Sequence, residues 1–176
     1  MTVPLRTPHL DVFPITQEHL RVEIFEPSKL AETLDVEVPE GWPPGLYDRD
    51  AAEFFLAQAE LLGPAADGWF GWYGVLRDGE RRVLVGSAGY FGPPDVTGIV
   101  EIGYSVVESY RGRGVATEMV NALVERALGT AGVTAVVAEA HQDNIASHKV
   151  LERAGFEETG PGREPDHVRF RYKDRI

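Results

Sequence analysis

The sequence predicts an α/β protein of mixed α+β character, with one mostly antiparallel twisted sheet of six to seven strands flanked by helices. Three observations lead there. Residues 69–76 and 82–90 are apolar, strand-like runs joined through Asp78-Gly79, a strong hairpin signal. A third run, residues 98–107, follows the breaker Gly92-Pro93-Pro94 and completes an antiparallel meander. From Val115 the apolar period becomes that of a helix, and a short apolar strand at 133–138 closes a βαβ crossover, expected to be right-handed.

The elements follow in order. Residues 10–14 read as a first short strand. Thr16 is placed to cap a helix that runs to about Phe25 and stops before Pro27. Ser28 is expected to cap a second short helix ending at Leu34. Residues 36–46, VEVPEGWPPGL, hold three prolines and two glycines and must be a loop. Trp42 in that loop and Tyr47 just after it either line a pocket or fold back over the core; the sequence leaves both open. Asp48 or Asp50 starts a helix to about Leu62, ended by Gly63-Pro64.

In the third meander strand Ile99, Val100, Ile102, Val106 and Val107 are β-branched, as a buried strand prefers. After it, Val115, Met119, Leu123 and Ala127 recur every fourth residue, with Val120, Val124 and Leu128 as a second row. Gly129 ends that helix. The apolar strand 133–138 suits a parallel neighbour. Asn144 caps a helix to Arg153, closed by Gly155. Residues 167–173, HVRFRYK, alternate apolar and basic and form a last strand. No repeat or linker divides the chain, so residues 1–176 read as one domain.

Composition bounds the function. A chain of 176 residues is long enough to bury a core. It has no cysteine, which removes disulfides, thiolate metal sites and a cysteine nucleophile. The five histidines are scattered, and no metal site is expected. No apolar run approaches a membrane span, and the N-terminus lacks the pattern of a signal peptide, so a cytoplasmic location is expected. A net charge of −11 disfavours nucleic acid. Whether the chain is a monomer or a homodimer is not readable.

Against that acidic background, Arg111-Gly112-Arg113-Gly114 is a local exception. It sits where a strand enters a helix. There the backbone N–H groups have no intrahelical partner and the helix dipole is positive, which suits a phosphate or diphosphate. Two other readings remain: an ordinary turn, or a broken dinucleotide fingerprint for NAD with Thr117 where a third glycine belongs.

Arg111 to Ala116 resembles the Q/R-x-x-G-x-G/A signature of the GNAT superfamily of acetyl-CoA-dependent N-acetyltransferases. Asn144-Ile-Ala-Ser147, followed by Leu151-Glu-Arg-Ala-Gly155-Phe156, resembles that superfamily's Asn-x-x-Ser … Gly-Phe segment, in the branch that acetylates ribosomal-protein N-termini. The resemblance covers roughly residues 83 to 160. It implies a GNAT-type fold, acetyl-CoA as acetyl donor and a primary amine as acceptor, either a protein N-terminus or a small molecule. The amine is expected to attack directly in a ternary complex; the other reading is a non-catalytic acyl-CoA sensor.

By that resemblance, main-chain groups of Tyr104, Ser105 and Val106 pair with the pantetheine. Arg111, Gly112, Arg113, Gly114, Val115, Ala116 and Thr117 hold the diphosphate, Asn144 reaches the pantetheine arm, and Lys149 contacts the nucleotide end. Glu101, a carboxylate in an apolar strand, is the candidate base, because burial raises its pKa towards a useful value. Its other reading is an ion pair with an arginine on a neighbouring strand. Many relatives carry a tyrosine acid where this chain has Leu151, so the resemblance moves that role to Ser147, with Tyr104 and Tyr110 in reserve. The acceptor pocket is expected from residues 39–47, 69–73 and 91–95, with Trp42, Tyr47, Trp72 and Phe91 against the acceptor.

Overall fold

The computed structural model describes residues 2–173. In chain order it contains β1 (Leu5–Arg6), β2 (Leu10–Pro14), α1 (Gln17–Phe25), α2 (Leu30–Leu34), α3 (Arg49–Leu62), β3 (Gly71–Asp78) and β4 (Arg81–Tyr90). Then come β5 (Ile99–Val106), α4 (Val115–Leu128), β6 (Ala135–His141), α5 (Ile145–Ala154), β7 (Phe156–Pro161) and β8 (His167–Tyr172).

All eight strands join one sheet, in the order β1-β2-β3-β4-β5-β6-β8-β7. Among the described strands only β5 and β6 pair in parallel, as a strand–helix–strand crossover demands. The strands beyond the expected six to seven are short edge pieces: β1 folds back on β2, and β7 follows directly from the Gly155 turn. The sequence carries no alternating pattern strong enough to announce either.

Local chemistry sets the helix boundaries. Thr16 accepts the His19 N–H while the His19 ring accepts the Thr16 N–H, a reciprocal cap on α1. Asp48, rather than Asp50, caps α3 through the Ala51 N–H. Asn144 caps α5 through the Ser147 N–H. Ser28 does not cap α2: residues Pro27–Lys29 form a 3-10 turn, and the helix starts behind it without a side-chain cap.

Two apolar cores lie on opposite faces of the sheet. Trp72, Val85, Ile102 and Val106 pack with Met119, Val120, Leu123 and Val124 of α4 and with Leu151 of α5. Tyr73, Val75 and Leu84 pack with Leu20, Ile24, Leu30 and Phe55 of α1, α2 and α3. Strand alternation sends Trp72 to one face and Tyr73 to the other. Among the described residues, no helix is long and apolar enough to cross a membrane.

Candidate active site

The centre of the site is a break in the sheet. Pairing of β5 with β6 runs from Ile99↔Ala135 to Ile102↔Ala138 and goes no further. β6 continues to His141 against β8, while β5 continues to Val106 against β4. The two strands therefore diverge after Ile102. On β5 the main chain of odd residues faces β4: Phe91 donates to the Glu101 carbonyl and Val107 donates to that of Val85. Tyr104 and Val106 consequently direct their main-chain groups into the opening. Ser105 does not. Its main chain belongs to the β4 side, and its hydroxyl donates to the Pro44 carbonyl at 2.8 Å, so the expected pairing with pantetheine does not hold for it.

At the far end of the opening, β5 ends in a 3-10 turn (Glu108–Tyr110) and the arginine-glycine turn. Gly112 and Gly114 have φ of +74° and +80°, the left-handed region that side chains with a Cβ resist. No atom lies within 4 Å of where a Cβ on either would sit. The bend is open, and α4 starts there with Val115, Ala116 and Thr117. Val115 buries its side chain, leaving its N–H as the group at the helix end.

The arginines are partly engaged. The Arg111 Nε–H donates to the Val106 carbonyl at 3.0 Å, and the Arg113 guanidinium stands over the Tyr110 ring at 5.0 Å. Both are exposed. Asn144 is exposed at the start of α5, and Lys149 is exposed along it.

Glu101 projects from β5 on the face it shares with Gly103 and Ser105. The Phe91 ring lies over Gly103, where a Cβ would come within 3.1 Å of it. Burial pushes the Glu101 carboxyl above the ordinary carboxylate value, opposed by the guanidinium of Arg163 and reinforced by Glu139. The ion pair expected as the alternative reading exists, but its arginine comes from the loop between β7 and β8, not from a neighbouring strand. Arg163 and Glu139 were not visible as functional residues. Glu139, a carboxylate within an apolar strand, carried the same signal as Glu101, but that strand was expected to end at Ala138. Arg163 carried no signal.

On the opposite side of the opening, the Tyr104 hydroxyl lies 2.7 Å from the Ser147 Oγ and 3.1 Å from the Ser147 carbonyl. Burial pushes the Tyr104 phenol up to about 12. It stays protonated at neutral pH. Leu151 is fully buried in the core of α4 and α5.

The segments expected to form an acceptor pocket divide between a cleft and the core. Pro39, Glu40, Gly41, Pro44 and Gly45 line a cleft of about 780 Å³ together with residues 107–111. Trp72 takes no part: it is fully buried on the α4 face, its indole N–H donates to the Gly68 carbonyl, and the Arg126 guanidinium covers its ring. Trp42 and Tyr47 fold inward, the core-covering alternative. Both donate to Glu23 of α1 at 2.7 Å, and Tyr73 donates to the same carboxylate. Asp95 accepts the N–H groups of Thr97 and Ile99 within its own turn. Of the four expected contact residues, only Phe91 is exposed, at 55%. Among the described residues, no three His, Cys, Asp or Glu side chains gather as a metal site would require.

Comparison with known proteins bears on the family and the fold. A family model described as "Acetyltransferase (GNAT) domain" matches residues 18–157. The uncharacterized N-acetyltransferase YjdG of Bacillus subtilis (strain 168) is 35% identical over 89 residues, 51% of this chain and 52% of that protein. The match thus spans about half the length of that relative. The ribosomal-protein-S5-alanine acetyltransferase of Vibrio fischeri superposes with a TM-score of 0.69 at 18% identity, covering 99% of this chain and 98% of that one. An acetyltransferase of Agrobacterium tumefaciens str. C58 does so with a TM-score of 0.65 at 21% identity, over 99% and 96%.

Proposed function

Because the chain belongs to the GNAT acetyltransferase family, we propose that it moves an acetyl group from acetyl-CoA to a primary amine by direct attack in a ternary complex. The observation that carries this reading is the divergence of β5 from β6, which runs from beside Glu101 to the open glycine bend before α4. A thioester arm laid along β5 completes the abandoned ladder at Tyr104 and Val106 as an added strand would. Its diphosphate then meets the N–H groups at the start of α4, where Gly112 and Gly114 leave room for close approach.

The catalytic roles follow from that placement. Glu101, directly or through water, takes the proton of the acceptor ammonium, and the freed lone pair attacks the thioester carbonyl. The Val106 N–H, directed into the opening, stabilises the oxyanion. As the carbon–sulfur bond breaks, the thiolate takes a proton from the Tyr104–Ser147 hydroxyl pair. Holding both reactants in line supplies much of the rate. The acceptor approaches under residues 39–45 and Phe91, and both a small amine and a peptide N-terminus fit that description.

The test is Glu101→Gln. A base works only when deprotonated, so wild-type kcat/KM falls as pH drops through the Glu101 pKa, which lies above the ordinary carboxylate range. The variant is expected to lose about a hundredfold or more in turnover and that acid limb with it, at unchanged affinity for coenzyme A. Turnover equal to wild type at every pH removes Glu101 as the base. Coenzyme A binding without thiol release on any amine would instead identify a sensor.

A further inference from the structure

The acid cluster beside the opening contains two carboxylates and two guanidinium groups, and they are not equivalent. Glu139 and Glu101 are half-buried, with side chains only 9% and 17% exposed, whereas the Arg163 side chain is 67% exposed. Glu139 is held by both arginines. Its Oε1 accepts Arg169 Nη1 at 3.0 Å and lies 3.5 Å from Arg163 Nε, while its Oε2 accepts the Arg163 main-chain N–H at 3.0 Å. Glu101 makes its ion pair with the terminal Nη2 of the same Arg163, and Arg169 acts on it only from a distance.

The stem of Arg163 is thus anchored on Glu139, and its head reaches from solvent onto Glu101. Gly162 lets the loop sit this close, since a Cβ there would lie 2.9 Å from Glu139 Oε2. If the head swings away, Glu139 gives up its longer contact with the Arg163 Nε but keeps Arg169 and its bond to the Arg163 backbone, whereas Glu101 loses its direct ion-pair partner. A pair with so exposed a partner is weak and breaks easily.

The geometry points to Arg163 as a displaceable counter-ion: it covers Glu101 in the free protein, and the ammonium of an aliphatic amine acceptor takes its place. This rests on Glu101 being the base of the proposed acetyl transfer. The displacement is charge-neutral, one cation for another, and it restricts the acceptor class. An alkylamine arrives protonated and replaces the guanidinium. An arylamine arrives neutral and would leave Glu101 beside Glu139 with no cation in direct contact, Arg169 alone acting on both, a costly arrangement for half-buried like charges.

The experiment uses butylamine and aniline as acceptor probes with Arg163→Gln and Arg163→Lys. In Arg163→Gln the competitor is gone, so the KM for butylamine is expected to fall about two- to fivefold with kcat retained, and that for aniline to stay. Loss of the guanidinium, with Glu139 still opposite and Arg169 still on Glu139, raises the Glu101 pKa, so the acid limb of kcat/KM moves to higher pH. Arg163→Lys restores the limb. A role limited to anchoring the loop would lower the melting temperature without moving the limb. Independently of turnover, the Arg163 Nε–H resonance, assigned by its loss in Arg163→Gln, should shift when butylammonium is added and not when butanol is added. An unmoved limb, or a resonance unmoved at 100-fold excess, overturns the inference. The base reading fails separately: it falls only if Glu101→Gln turns over like wild type.

Discussion

The hydroxyl of Tyr104 stands 2.7 Å from the hydroxyl of Ser147, across the opening between β5 and the start of α5. One residue belongs to a strand and the other to the first turn of a helix more than forty positions later, so their meeting depends on the crossover. In the proposed transfer the pair offers two exchangeable protons to the leaving thiolate. Leu151, on the same helix, is buried and has none to give.

Tyr104→Phe and Ser147→Ala should each lower kcat by about tenfold or more, and the double variant by little beyond the worse single change. Groups acting as one donor are non-additive in this way. Because burial pushes the Tyr104 phenol up to about 12, wild-type activity should show no loss from its deprotonation below pH 10. Stopped-flow thiol release checks both; additive losses would mean the hydroxyls act separately.

Gly114→Ala tests the diphosphate bend. The new Cβ meets no protein atom, so the penalty within the fold is the left-handed φ of +80°, roughly 1–2 kcal/mol. For a domain of this size that lowers the melting temperature by only a few degrees. Affinity for coenzyme A should fall at least tenfold, because the methyl occupies the space from which the N–H groups would be approached. Calorimetry with coenzyme A reads the difference.

Glu23 ties α1 to the loop over the cleft. Burial pushes its carboxyl up, opposed by hydrogen bonds from Tyr73, Tyr47 and Trp42. A raised folded pKa means that wild-type stability declines as pH rises from the unfolded value near 4.5 to the higher folded one, and is level beyond it. Glu23→Gln should remove that decline, seen as a pH-dependent stability difference between the two proteins in urea melts. Glu23→Ala leaves three donors without their acceptor and should cost about 2–4 kcal/mol at neutral pH. An equal stability difference at all pH values would show that Glu23 does not titrate in this range.

Trp72 and Phe91 should separate cleanly. Trp72→Ala empties a fully buried site and should cost about 3–5 kcal/mol of stability, while Trp72→Phe leaves the acceptor KM unchanged. Phe91→Ala should move the acceptor KM several-fold with little loss of stability, since the ring is exposed over Gly103. Thermal melts and steady-state kinetics on the same preparations distinguish the two.

Much of the site was legible because its signals are local. Glycines at a strand-to-helix junction and an Asn cap three residues before Ser147 are neighbours in sequence, and the chemistry they imply requires only the adjoining backbone. The aromatic residues were read less well. Trp42, Tyr47 and Trp72 occur in segments that line the chain's clefts in principle, but strand parity and the partner Glu23 decide which way each ring turns. Composition cannot express either.

The sequence by itself determined the order of the main elements, the caps at Thr16 and Asn144, the crossover and the glycine bend, because these depend on periodicities and hydrogen bonds that close within a few residues. Only the tertiary structure decided that β5 and β6 part after Ile102, that Ser105 turns to β4 while Tyr104 meets Ser147, and that Arg163 lies on Glu101. Those relationships join residues up to 62 positions apart, and they are set by how the twisted sheet and the loops at its end share the same volume.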